Sequence, residues 1–265
     1  MTVAATRLTS KNTVQTPSFD AEEMVAALNA RFDGTAPEDI RPEAIIEAAR
    51  DMLGDKFALV SSFGAESAVL LHLAAKVSKD IPVLFLDTGK LFGETKRYRD
   101  TLTEQLDLNS VITLTPDADD LETHDPKGIL WNSNNNGCCY VRKVVPLNKA
   151  LDGYYAWASG RKRFHGAGRA ALPHFEASDN RVKVNPLAFW NKDQVSQYMK
   201  DHDLPAHPLV AEGFASIGCM PCTDRVADGA DVRSGRWKGK GKTECGIHLT
   251  LGENAKLASY ESSGL

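Results

Sequence analysis

The sequence predicts an α/β fold: a mostly parallel sheet with helices on both faces and a mobile segment at the C-terminal end. Two observations carry this reading. Short, continuously apolar runs recur at residues 57–61, 81–86 and 111–114, as expected of strands buried on both faces. Each of the first two is followed by a turn and an amphipathic stretch of helical period, at 66–77 and 94–106, the strand–helix alternation of a parallel sheet. In such sheets ligands bind beyond the carboxyl ends of the strands, which puts 61–67 and 87–89 at the ligand edge.

The remaining elements follow in chain order. Residues 1–19 hold seven Ser/Thr and no acid, and are expected to form a disordered tail. They contain no apolar core of a secretory signal. Asp20 is placed to cap a helix over 21–32. A second helix is expected over 42–53, stopped by Gly54. A helix over 138–151 is entered from the polar run 132–137. Residues 154–158 and 182–184 are two more strands, with the basic loop 161–169 between them. Asn191 caps a short helix over 193–201. From Leu204 onward Pro, Gly and Cys dominate and regular structure is not expected. The α/β domain is thus 20–231. The stretch 232–265 is read as the mobile segment, with five Lys/Arg and no acid over 232–243.

Composition narrows the function. The chain has 265 residues, a net charge of −4, 42% hydrophobic and 25% charged residues. This is ordinary globular usage, and no apolar run approaches the ~20 residues of a membrane span. Mild acidity argues against a general polyanion binder, so neither nucleic acid nor membrane is an expected partner. Five cysteines, two of them adjacent, suit a reducing cytosol better than a disulfide framework.

Five groups of residues can carry chemistry. Ser61-Ser62-Phe63-Gly64-Ala65-Glu66-Ser67 is a strand-to-helix turn of small residues, able to bring backbone N–H groups and a helix N-terminus to an anion. It lacks the GK[ST] of a Walker loop, and by itself is equally an ordinary capped turn. Cys138-Cys139 and Cys219-Met220-Pro221-Cys222 offer four thiolates in two close groups, suited to zinc or an iron–sulfur cluster. The plainer alternative is buried free thiols plus a redox C-x-x-C. A vicinal pair is less awkward for a cluster, where each ligand can bind a different iron. Cys245, the fifth cysteine, follows a basic run, and such surroundings favour the thiolate. Arg142, Lys143, Arg161, Lys162, Arg163, Arg169, Arg233 and Arg236 offer anion contacts, Arg forks matching phosphate and sulfate. Lys238, Lys240 and Lys242 read as a solvated face. Of the histidines, His165 and His248 are candidates near neutrality, whereas His72, His202 and His207 read as structural or solvated.

Taken together and in this order, these motifs resemble the adenosine 5′-phosphosulfate (APS)/3′-phospho-APS reductase family, and its assimilatory APS-reducing branch in particular. The resemblance spans 57–248 and rests on the serine-rich turn, Leu86-Asp87-Thr88-Gly89, the two cysteine groups and Glu244-Cys245-Gly246-Ile247-His248. It implies an adenine nucleotide α-hydrolase-like fold, related to the pyrophosphatase-loop enzymes. It also implies a 4Fe–4S cluster on Cys138, Cys139, Cys219 and Cys222. Nucleotide contacts are implied at Ser61, Ser62, Phe63, Gly64, Leu86, Asp87, Thr88, Gly89, Gly160, Arg163 and Arg169. Lys143, Arg233, Arg236 and His248 are implied at the phosphosulfate end. Catalysis is then attack by Cys245 on sulfur, giving an S-sulfocysteine that thioredoxin, or a glutaredoxin-like dithiol donor, reduces to release sulfite. The setting would be cytoplasmic sulfate assimilation and cysteine biosynthesis. One stretch departs from the family pattern G-x-R-R-x-Q-S-x-T-R: here Lys162 replaces the first Arg, and His165-Gly166-Ala167-Gly168 replaces Q-S-x-T, so hydroxyl contacts are not carried over. Rival readings are a phospho-APS or dual-substrate reductase, a tRNA-thiolating enzyme of the pyrophosphatase-loop class, and a cluster-bearing nucleotide-binding redox sensor.

Overall fold

A computed structural model describes residues 19–239 and 241–254. Six strands form one sheet in the order β3-β2-β1-β4-β6-β5. They are β1 (Phe57–Ser61), β2 (Val83–Leu86), β3 (Val111–Leu114), β4 (Ala156–Ala158), β5 (Phe175–Ser178) and β6 (Arg181–Val184). All neighbouring pairs are parallel except β5 with β6.

β1 is buried along its whole length, and its alternate residues serve different cores. Phe57 and Leu59 pack with α2 (Pro42–Leu53) and α3 (Ser67–Val77) in the larger core. Ala58 and Val60 pack with Leu147 and Leu151 in a smaller one on the opposite face. This two-sided covering is why the strands read as unbroken apolar runs.

Helix ends follow local chemistry. Asp20 accepts the Glu23 N–H at 3.0 Å and opens α1 (Ala21–Ala30). Gly54, at φ 52°, ends α2. Asn191 and Gln194 form a reciprocal capping box on α9 (Lys192–Asp201). Between β2 and β3 lies α4 (Gly93–Gln105).

Several expectations are corrected. Residues 1–18 of the expected tail lie outside the described residues, but Phe19 belongs to the body, its ring stacked on Tyr155 at 4.2 Å between centroids. Two short helices, α5 (Ala118–His124) and α6 (Leu130–Ser133), occupy a stretch for which none was expected. β5 is a sixth strand, missed because it lies at the antiparallel edge with only half-buried residues after Phe175. The helix expected over 138–151 starts earlier and is not uniform. It comprises α7 (Asn135–Cys139), a π-helical turn at Tyr140–Val144, and α8 (Val145–Leu151). Pro146 supplies the cause: it has no N–H for the Arg142 carbonyl, and its ring crowds that carbonyl, so the preceding turn widens.

Beyond residue 204 the described residues before 250 form only short 3₁₀ turns and isolated bridges, as the Pro/Gly-rich composition implied. These segments nonetheless pack on the sheet edge. Thr223 bridges Arg236, Trp237 is 3% exposed, and the Asn254 amide donates to Gly246 O at 2.8 Å.

Candidate active site

The turn after β1 is shaped by its own small residues. Ser61 Oγ accepts the Phe63 N–H (3.2 Å), Ser67 Oγ accepts the Gly64 N–H (2.8 Å), and Phe63 adopts a left-handed φ of 47°. A Cβ on Gly64 would lie 3.1 Å from Ile217 O, so only glycine lets these backbones approach so closely.

This turn forms one wall of a cleft enclosing about 1210 Å³, open mouth included. Ser61, Ser62, Gly64, Leu86, Lys143, Gly160, Arg169, Arg233, Arg236, Cys245 and His248 all line it. Phe63, Asp87, Thr88, Gly89 and Arg163 do not. The Phe63 ring is fully buried against Phe85. Asp87 pairs with Lys96, and Thr88 faces the cysteines. Gly89, at φ 70°, makes the turn that follows them, its N–H donating to Asp87 Oδ1. Arg163 is held by Leu172 O (2.8 Å) and lies 3.6 Å over the Phe189 ring, which makes it a structural cation.

Arg142 is structural too. Its guanidinium donates twice to Asp125 (2.6 and 3.0 Å) and once to Thr88 O (2.9 Å), and is buried. Lys162 pairs with Glu66 at 2.7 Å, and His165 reaches the same carboxylate at 3.2 Å. Burial alone would raise Glu66, but His165 and Lys162 hold it at about 2. Arg161 is bonded to Glu176 and Asn185.

Cys245 faces Lys143, whose Nζ lies 3.9 Å from its Sγ. Burial works against a Cys245 thiolate, yet Lys143, the Ile247 N–H, Lys242 and Arg236 hold its pKa below that of an ordinary thiol. Lys143 in turn keeps its proton despite burial, because Cys219, Cys245 and Cys139 surround it. Two buried polar atoms in this region, Arg236 Nε and His248 Nδ1, make no hydrogen bond among the described residues. Burial, with Arg161 beside it, pushes the His248 pKa well below the usual value, so its ring is neutral.

The other four cysteines line a second, smaller cavity together with Trp131, Asn135, Pro221, Arg142 and Trp237. Burial, with Cys139 and Cys219 nearby, pushes the Cys138 thiol up to about 12. Asn135 Nδ2 donates to Cys222 Sγ at 3.2 Å, and Thr88 Oγ1 is 3.2 Å from Cys219 Sγ. No group of three or more His, Cys, Asp or Glu among the described residues is set to hold a single metal ion. Lys143, Arg236 and Trp237 line both cavities and form the wall between them.

A family profile for the phosphoadenosine phosphosulfate reductase domain matches residues 56–225. The chain belongs to the phosphoadenosine phosphosulfate reductase family. Among relatives within this reductase family, an adenosine 5′-phosphosulfate reductase of Mesorhizobium japonicum is 49% identical over 232 residues, covering 87% of this chain and 91% of the relative. One from Streptomyces coelicolor is 41% identical over 220 residues, 81% and 91% of the two chains. The fold is also that of a Candida auris phosphoadenylyl-sulfate reductase solved with phosphate (TM-score 0.63, 22% identity, 79% of this chain and 98% of that one). At the level of fold alone, a Candida glabrata FMN adenylyltransferase is similar (TM-score 0.50, 14% identity, 89% and 90%). This agrees with the expected adenine nucleotide α-hydrolase-like architecture.

Three contributors to the cleft that sequence reasoning missed bear on its shape and charge. Ile217 and Gly218 carry no side-chain signal and enter through backbone proximity. Trp237 had only its basic neighbours to mark it, and its ring proves to lie 4.4 Å from the Arg236 guanidinium and 5.6 Å from that of Arg233.

Proposed function

We propose that this enzyme reduces adenosine 5′-phosphosulfate to sulfite and AMP by thiol chemistry at Cys245, in assimilatory sulfate reduction. The observation that supports this best is the placement of Cys245 Sγ, 3.9 Å from a half-buried lysine, in one cleft with the β1 turn, Arg169, Arg233 and Arg236. A thiolate attacking a sulfonyl group meets a ring of negative oxygens. Cations offset that repulsion, and Lys143, the one beside Cys245 Sγ, is flanked by thiols, not by carboxylates.

The steps balance as follows. The Cys245 thiolate forms an S–S bond to the sulfonyl sulfur, and the bond from sulfur to the bridging oxygen breaks toward AMP. A thiol of a dithiol protein of the thioredoxin type then attacks Cys245 Sγ, and sulfite leaves with the electron pair of the S–S bond. The second thiol resolves the mixed disulfide, so the donor is oxidised by two electrons and Cys245 is regenerated. The described segment that carries Cys245, residues 241–254, would act as a lid, closing over substrate and later exposing the adduct.

The relatives' names favour the unphosphorylated nucleotide. Cleft cations such as Arg161 and Lys162 are already paired with Glu176 and Glu66, which leaves little unpaired charge there for a further phosphate. Strictness against the 3′-phosphorylated nucleotide is tested by competing the two in single turnovers.

Four cysteines sharing a small cavity, with amide and hydroxyl donors at two sulfurs, fit a 4Fe–4S cluster better than one metal ion. Thiols that each bind a different iron need not converge on a point, which agrees with the lack of a single-ion ligand set. Cys138, Cys139, Cys219 and Cys222 would hold it. When bound, it would supply charge and rigidity beside Lys143 rather than the reducing electrons.

The decisive experiment is incubation with substrate and no dithiol. Cys245 should gain one SO₃ unit by mass spectrometry, and Cys245→Ser should release no sulfite while still binding AMP. Sulfite turnover by Cys245→Ser would sink the proposal.

A further inference from the structure

Glu244 does not sit idle beside the nucleophile. Its carboxylate fills the fork of Arg169, with Nε to Oε2 at 2.6 Å and Nη2 to Oε1 at 2.8 Å. Arg233 Nη2 approaches Oε1 at 3.6 Å and donates to Thr243 O at 3.0 Å. The same Oε1 accepts the Cys245 backbone N–H at 2.8 Å. The remaining terminal nitrogen of Arg169, Nη1, faces His165 Nδ1 at 3.5 Å. Arg169 thus has its in-plane donors turned to protein acceptors, and Arg233 has one terminal nitrogen so engaged.

A carboxylate and the non-bridging oxygens of a phosphate or sulfate present the same paired-acceptor edge to an Arg fork. We infer that Glu244 is an internal stand-in for the substrate's anion: it holds the Arg169–Arg233 seat in the free enzyme, and an incoming nucleotide anion must displace it. This rests on the reading that the cleft takes the anionic end of a nucleotide. The displacement has a mechanical result, because the carboxylate that leaves Arg169 is also the one that holds the Cys245 amide. Seating of the ligand and release of the nucleophile's backbone therefore become one event. Protonation does not free the seat at working pH, since the Arg169 bonds outweigh burial and hold Glu244 at about 2. Glu244 is in this sense a positioning residue that competes with substrate.

An internal competitor lowers the apparent affinity of its rival by the fraction of molecules in which the seat is free. Removing the charge should therefore tighten ligand binding, the opposite of what loss of a merely structural contact does. Glu244→Gln removes the charge and keeps an oxygen that can accept the Cys245 N–H. Glu244→Asp keeps the charge but is too short to reach both Arg169 and the amide.

The test is calorimetric titration of the full chain with AMP and, separately, with inorganic sulfate. Glu244→Gln is expected to bind both about tenfold more tightly than wild type, and Glu244→Asp to fall between them. In turnover, KM for the nucleotide should fall in Glu244→Gln while kcat also falls. Unchanged or weaker binding of both probes by both variants, with wild-type AMP binding intact, overturns the inference and leaves the nucleotide reading standing. A wild-type chain that takes sulfate but no AMP breaks the nucleotide reading instead. The sulfate comparison then still decides the role of Glu244.

Discussion

Asp125 and Arg142 offer the sharpest test of how the site is supported. Their side chains are 2% and 7% exposed. The Asp125 carboxylate accepts two bonds from the guanidinium and one from the Leu130 N–H at 2.9 Å. Arg142 spends its third direction on Thr88 O, and Thr88 Oγ1 touches Cys219 Sγ. Asp125→Ala leaves a guanidinium out of water with one acceptor. Breaking a buried pair in this way costs about 3–5 kcal/mol. For a chain of this size each kcal/mol moves the melting temperature by about 2–4 °C, so a fall of about 6–20 °C is expected in thermal melts followed by circular dichroism. The paired change Asp125→Leu with Arg142→Met removes both charges and should recover more than half of the loss, because an apolar replacement avoids the stranded ion. A fall of less than about 2 °C in Asp125→Ala, or a double variant no better than the single one, would refute the idea that this pair carries the β2 end and the cysteine helix together.

Three further outcomes are expected. Lys143→Met should slow alkylation of Cys245 by iodoacetamide at pH 7 at least tenfold, read by peptide mass spectrometry, since a charge 3.9 Å away acts with a few kcal/mol even at an effective dielectric of ~20; an unchanged rate disproves the pairing. His207 accepts the Leu209 N–H at Nδ1, lies 3.0 Å from Thr95 Oγ1 through Nε2, and is held by burial at about 4. Its contribution is complete above pH ~6.5 and is lost as pH falls toward 4, ~3 kcal/mol in all, so the urea midpoint should drop between pH 7 and 5 and His207→Gln should flatten that slope. Gly218→Ala and Gly235→Ala should part company: a Cβ on Gly218 collides with the movable end of Arg236, whereas one on Gly235 meets the backbone carbonyl of Asp224. Enzyme assays should find the first folded with a raised KM, and melting should find the second destabilised.

Much of the fold was legible because its physics is local. β1 and β2 are buried between helices, so their apolar runs survive in the sequence, while β3 reads as apolar at the sheet edge although Ile112 and Thr113 are exposed. Helices with a capping Asp20, a stopping Gly54 or the Asn191–Gln194 pair declared their ends. β5 was not legible, since Phe-Glu-Ala-Ser at a sheet edge is only four residues long and offers a single large apolar side chain. The Asp179-Asn180 turn that joins it to β6, both residues at φ just above 50°, was a hairpin signal left unused. In the site, Ser61 followed from a motif at a strand end, while the clustering of Lys143, Arg169 and Cys245 with it was implied by the family resemblance. The fate of single cations did not. Arg163 and Arg169 stand in the same loop, yet one is bound to a carbonyl and the Phe189 ring while the other faces the cleft. That choice is made by Phe189 and Glu244, remote in sequence from both.

The widened turn at Tyr140–Val144 holds one residue more than an ordinary helical turn, and that surplus sets where this helix can lose length. Each residue advances an α-helix by about 100°, yet a π-turn takes up its extra residue while the helices on either side stay in phase. Deleting one of the five therefore lets regular winding return with Cys138 and Cys139 still at the cavity they share with Cys219 and Cys222, at the cost of setting Pro146 against a carbonyl for which it has no N–H. A library of single deletions across 135–151 should accordingly show its mildest losses of melting temperature within 140–144.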